Sequence, residues 1–178
     1  KAKIFSRKDN PTPEALAQRA RMKTLVQLSQ SLLPIVQKGF VGIGKGTTSN
    51  AFVASNQKAV TVDEKNVATV DFEKLLVATG LVNPPKVTVT YDEESKKYQF
   101  TQEVQEEEDG YASAEDKVYG VLYETTRGRA RLVALRERGE SGSTSCALPE
   151  EWDNTNVKVY CFATLKNRKR ASDSLLIS

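Results

Sequence analysis

From Pro84-Pro85 onward the chain changes its period, and this constrains its fold more than any other feature. Val87 and Val89 alternate with Thr88 and Thr90, and Tyr98 and Phe100 alternate with Gln99 and Thr101. Period-two alternation sends one set of side chains to a core and the other to solvent. Residues 92–97 read as the turn of a hairpin joining these two runs. Then follow KVYGVLYE (117–124), ARLVALRE (130–137), STSCALP (143–149) and VKVYCFATL (157–165). A basic turn at 166–170 leads into SDSLLIS (172–178). Short strands at a spacing of about 8–14 residues, with turn signals between them, predict an antiparallel β-sandwich of immunoglobulin or fibronectin-III type. Pro149-Glu150-Glu151-Trp152 forms a connecting corner, with Trp152 expected to pack over one end of the sandwich.

The first third reads differently. Residues 1–10 form a basic arm, and Thr12-Pro13-Glu14 then signals a helix start. Threonine caps, proline suits the first helical position, and the acid favours the positive helix end. Ala15, Met22, Leu25, Val26, Ser29, Leu32 and Leu33 recur at helical spacing and predict an amphipathic helix of about 19 residues, broken or kinked at Pro34. Ile35, Val36 and Phe40 continue as a short turn, halted by Gly39, Gly42, Gly44 and Gly46. A further helix is expected over TTSNAFVASNQKAV, with Phe52, Ala59 and Val60 facing inward. DFEKLLVATG (71–80) reads as a strand ending at Gly80. The class is thus mainly β with an α+β character: helices packed on the sandwich, divided into residues 1–66 (basic arm and helical segment) and 67–178 (β-sandwich). The helices are expected to bury Leu16, Leu25, Val26, Leu32, Leu33, Phe40 and Phe52. The sandwich is expected to bury Val87, Val89, Val118, Val121, Leu132, Leu148, Val157, Val159 and Cys161.

Composition narrows the chemistry. The 178 residues contain no histidine, which excludes Ser–His–Asp and Cys–His catalysis and His-ligated zinc. Two cysteines cannot form a Cys₄ zinc site or a disulfide framework. Cys146 and Cys161 read as buried thiols, with a bridge possible only if their strands face each other. The net charge is +3, yet residues 1–46 hold nine Lys/Arg against two acids, and residues 92–116 hold ten acids against two lysines. Such segregation fits solvated faces, or contact between unlike faces of neighbouring copies. No apolar run reaches the ~20 residues of a membrane span, and no signal peptide is visible. The expected compartment is cytoplasmic or particle-associated, and a soluble chain is expected.

Three motifs invite a function. Gly39 to Thr47 nearly spells a P-loop around Lys45, but Gly46 stands where the magnesium-binding Ser/Thr belongs, and the preceding segment reads as helix rather than strand. The acidic run Glu106, Glu107, Glu108, Asp109 lacks the alternating ligand spacing of a calcium loop and reads as a solvated loop or an interaction patch. Arg127, Arg129 and Arg131 sit around Gly128, and Arg136 and Arg138 follow them. With Tyr119 and Tyr123 they could form a surface of cations and stacking rings for nucleic acid, helped by Lys1, Lys3, Arg7 and Lys8 of the arm. No catalytic residue, cofactor or metal ligand is expected.

Asn10-Pro11-Thr12, Gln18-Arg19, SLLPIVQKGF and TTSNAFVASN occur in that order. They are followed by Asp71, Phe72, Lys74, Leu75, Val77 and Gly80, then Leu148, Pro149 and Trp152, then Val157, Val159 and Tyr160, and last Ser172 and Ser174. In this pattern the chain resembles an uncharacterised family of unknown function common in Bacteroidetes, from about Asn10 to the end. Relatives usually carry a Gly-rich segment before the Asn-Pro motif, where this chain has nine residues. The resemblance implies the fold and carries no activity.

The expected function is a non-enzymatic structural or interaction module, a subunit of a larger assembly that associates with itself or another protein. The alternative is nucleic-acid binding through the arm and the Arg127–Arg138 face. A degenerate P-loop phosphate binder comes third.

Overall fold

The computed structural model describes residues 10–105 and 111–178. Helix α1 spans Pro13–Ser31, α2 Leu33–Gly39 and α3 Thr48–Ser55. The Thr12 hydroxyl accepts from the Ala15 amide at 3.3 Å, and Thr47 caps α3 in the same way through the Asn50 amide. Pro34 stands in the first turn of α2, and Leu32, fully buried at the break, joins the two helices. As expected, the proline restarts a helix that it could not continue.

Beyond α3 the chain forms a small antiparallel hairpin, β1 (Val60–Val62) with β2 (Ala68–Val70). The helix expected over residues 47–60 therefore ends early, at Ser55, although Phe52, Ala59 and Val60 are buried as expected. The remaining strands are β3 (Val87–Asp92), β4 (Lys97–Gln102), β5 (Lys117–Glu124), β6 (Arg129–Glu137), β7 (Gly142–Ala147), β8 (Val157–Thr164) and β9 (Leu175–Leu176). They form two antiparallel sheets, ordered β3-β4-β7 and β6-β5-β8-β9, which is the order of a fibronectin-III-like sandwich.

The four-stranded sheet is covered on both sides. Val118 and Leu122 of β5, with Val159, Cys161 and Ala163 of β8, face Val87, Tyr98, Phe100 and Cys146 of the other sheet. The opposite face presents Tyr119, Val121, Tyr123, Tyr160 and Phe162 to Leu28, Leu32, Ile35, Val36, Phe40 and Phe52 of the helical layer. Three layers thus stack: helices, central sheet, outer sheet. Gly120 lets the two sheets approach, since a Cβ there would lie 2.7 Å from the Phe100 ring. Val121 and Leu132 belong to the helix-facing core rather than to the sandwich interior. Leu16, Val26 and Leu33 differ from expectation too, being about two-fifths exposed. Leu25, Leu28 and Leu32 carry the buried stripe of the helical layer, so it lies to one side of the apolar arc read from the sequence.

Residues 71–80 are not a strand. Their apolar side chains Leu75, Val77 and Ala78 are buried, but their backbone has no ladder. Side chains and isolated backbone bonds satisfy it instead. Asn56 donates to Leu76 O at 2.9 Å and accepts from Leu76 N at 2.8 Å, while the Ser174 hydroxyl accepts from Val77 N. The Asp173 carboxylate takes the Thr79 hydroxyl and the Gly80 amide, and Thr79 N reaches Gly39 O. A buried strap held this way keeps the composition of a strand without strand pairing.

Replacing Asn56, itself buried and also bonded to Phe52 O, removes three hydrogen bonds at once. Asn56→Ala is expected to destabilise the fold by about 2–4 kcal/mol, because the strap's peptide groups lose their partner. The measurement is the urea midpoint at unchanged m-value.

Candidate functional site

The turn between β5 and β6 builds a surface site that is flanked by two depressions. Glu124 is buried, and its carboxylate accepts the Arg127 amide at 2.5 Å. The Thr125 amide and hydroxyl both donate to Asn156 O, at 2.9 and 3.0 Å. Gly128 turns the chain with φ +62° and presses it on α1, where a Cβ would meet the Ser31 hydroxyl at 3.3 Å. So anchored, the turn projects the Arg127 guanidinium outward, 3.6 Å from Glu151. Arg127 separates two depressions. One, of about 570 Å³, is lined by Arg127, Arg129, Glu151 and Trp152. The other, of about 510 Å³, lies against α1 and is lined by Thr24, Gln27, Ser31 and Thr126. A cation, an indole and a row of amides and hydroxyls can hold an anionic or polar partner.

The arginine series does not form one face. Arg127 and Arg129 are exposed. Arg131 is exposed but donates from Nη1 to Ala147 O at 2.9 Å, which stitches the edge strand β6 to β7 of the other sheet. Arg136 exchanges two backbone hydrogen bonds with the Gln102 amide, again between sheets, beside the bulge in the β5–β6 ladder. Arg138 points inward: its side chain is 1% exposed and pairs with the equally buried Asp116 at 2.9 Å. Its remaining donors reach Gln105 Oε1 at 3.0 Å and Asn83 O at 2.5 Å. An arginine with so many donors holds this cage together through Asp116 Oδ2, whereas a surface role would leave Asp116 buried and unpaired.

Tyr119 and Tyr123 are also buried. Tyr119 stacks on Phe162 at 5.2 Å and Tyr123 packs on Phe72 at 6.1 Å, so neither ring is open to a base. Burial pushes the Tyr123 phenol above its usual range. The aromatic beside Arg127 and Arg129 is Trp152, which also packs on the sandwich core, as its corner position implied.

Lys1, Lys3, Arg7 and Lys8, and the acidic Glu106, Glu107 and Glu108, lie outside the described residues. Lys45 is exposed in the connection after α2, so a helix and not a strand precedes the glycines, and the Thr47 hydroxyl is engaged as the α3 cap. Cys146 and Cys161 are buried and unbridged. Burial raises both thiols, Cys161 to about 12, so neither is a nucleophile at neutral pH. Among the described residues no cluster of three Cys, Asp or Glu is placed to hold a metal ion. Nor is any helix among them long and apolar enough to cross a membrane.

The acids of residues 92–116 are divided in space. Asp92, Glu93 and Glu94 sit at one end of β4, beside the Arg127 turn side of the sandwich; Glu115 and Asp116 sit at the other, where Glu115 pairs with Lys166 at 2.6 Å. Each end carries both signs of charge.

These placements predict unequal arginines. Arg138→Ala is expected to cost about 3–5 kcal/mol, because it strands Asp116 in the interior. Arg129→Ala should stay within about 0.5 kcal/mol. Paired denaturation curves check both.

No curated protein matches the chain, and no solved structure does. Residues 2–177 match a family described only as a family of unknown function, DUF6266. A match over nearly the whole length includes all three layers and the Arg127 turn, and on that basis the chain belongs to this family of unknown function, DUF6266.

Proposed function

We propose that the protein is a non-enzymatic interaction module that associates through its helical layer, as a subunit of a larger assembly. One observation carries this reading. The apolar arc of α1 is wider than the stripe the core uses, leaving Met22 and Val26, one turn apart, 37% and 42% exposed. Leu33, at the start of α2, is 41% exposed beside the same helix. A scattered surface leucine needs no explanation, but a row of half-open apolar residues on one helical layer is the composition of a contact surface. Its occupant in this reading is a second copy of the chain. The proposed setting is cytoplasmic or particle-associated, and the Bacteroidetes distribution implied by the motif pattern is proposed for this chain as well.

Sedimentation at low and high salt tests it. The wild-type chain is expected to associate at both, because apolar contact resists salt. Val26→Asp is expected to remain folded and to shift the population to monomer by at least tenfold in dissociation constant. A wild-type monomer at every concentration and both salts overturns the reading.

A second reading rests on Arg127, Arg129 and Trp152 around one depression, a combination suited to nucleic acid. It requires an affinity that falls steeply with salt and weakens in Arg127→Ala. A flat salt dependence rejects it.

A further inference from the structure

A small cavity of about 180 Å³ lies where the end of α2 meets the central sheet, and it shares no lining residue with the helical contact row or the Arg127 turn. Its walls are Val41, Tyr119 and Gln37; Lys38, Arg168 and Thr164 complete it. Thr164 ends β8 on the helix-facing side, opposite Lys117 of β5. It is 1% exposed, and its hydroxyl has no hydrogen-bond partner among the described residues. A buried hydroxyl without a partner is uncommon, and facing a cavity it marks a place where a polar atom is missing. Two cations frame the same space. Lys38 Nζ stands 5.9 Å from the centre of the Tyr119 ring, and Arg168 is held in the turn after β8 with φ +57°. Among the described residues neither has a carboxylate within ion-pair distance. Glu137, on the neighbouring edge strand, is already paired with Lys117.

From this juxtaposition we propose that the cavity is a binding site for a small monocarboxylate with a short apolar tail. The carboxylate sits between Lys38 and Arg168 and accepts a hydrogen bond from the Thr164 hydroxyl. The tail lies against Val41 and the Tyr119 ring. Size limits the ligand: a cavity of about 150 Å³ holds a benzene-sized molecule, so about six heavy atoms fit. Cation charge and a buried donor select a carboxylate over a neutral alcohol, and the apolar wall selects a short chain over a bare inorganic anion.

Butyrate and inorganic phosphate are the probes, titrated into the full-length chain and followed by amide and side-chain NMR with thermal stability as a second readout. Butyrate is expected to saturate, to shift resonances of Thr164, Tyr119 and Lys38, and to raise the melting temperature. Thr164→Val keeps the shape and removes the donor, and Lys38→Ala removes a half-buried cation; each is expected to weaken butyrate at least tenfold. Either variant can be checked for folding without ligand. No saturable shift at millimolar butyrate overturns the proposal. So does butyrate binding that is unchanged in both folded variants, and so does an equal response to phosphate and butyrate.

Discussion

The structure depends on one sheet that is buried twice. Antiparallel sheets usually keep one face wet, but β5 and β8 have nearly every residue inside. Alternation then sorts their side chains between two cores rather than between core and solvent. Without the helical layer, Tyr119, Val121, Tyr123, Tyr160 and Phe162 would all face water. At roughly 1.5–3 kcal/mol for each large apolar side chain buried, the five together are worth about as much as a small domain's whole net stability. The helices are therefore part of the same folding unit as the sheet they cover, and the Tyr160 hydroxyl, bonded to Phe72 O at 2.8 Å, ties the strap into that interface.

Burial on both faces also decides where polar chemistry can stand. It is pushed to the strand ends and to the seams between layers. Glu124 closes the β5–β6 turn, Asp116 and Arg138 close the opposite end, Gln102 of β4 ties its sheet to β6, and Arg131 ties β6 to β7. Each of these groups caps backbone or bridges sheets. They explain how an edge strand as charged as β6 stays docked on its own sandwich and avoids pairing with other strands.

Much of this was legible in the sequence. Seven strand segments from Val87 onward, the Thr12 cap, the Pro34 break and the covered Phe40 and Phe52 all follow from local pattern. What local pattern cannot carry is partnership. DFEKLLVATG has a strand's composition, yet its hydrogen-bond partners are Asn56, Asp173 and Ser174, which come from distant positions. The β1–β2 hairpin is only three residues a side, too short for a periodicity to emerge against the preceding helix. The arginine series was visible as a charge cluster, but charge alone does not say which guanidinium turns inward. That was decided by Asp116, 22 residues away. Thr164 could not be singled out either, since a β-branched residue at a strand end is ordinary until its hydroxyl is found without a partner among the described residues.

The interplay of layers changes what the charge pattern means. In sequence, basic and acidic stretches are well separated, and that separation suggests complementary faces. In space, β4 splits the acidic stretch, Lys166 neutralises Glu115, Glu137 neutralises Lys117, and Arg138 is spent inside on Asp116. Long-range attraction between opposed charged faces is weakened by such local pairing, and the remaining exposed pairs contribute little each. The unspent features lie elsewhere: two half-open apolar side chains one turn apart on α1, Leu33 beside them, and a donor, two cations and a ring around one cavity under α2. The first belongs to the helical layer; the second lies between that layer and the central sheet, with Tyr119, Thr164 and Arg168 on the sheet side. The central sheet needs that layer for its own burial, and the apolar side chains of α1 and α2 that the sheet does not use stay partly open to solvent.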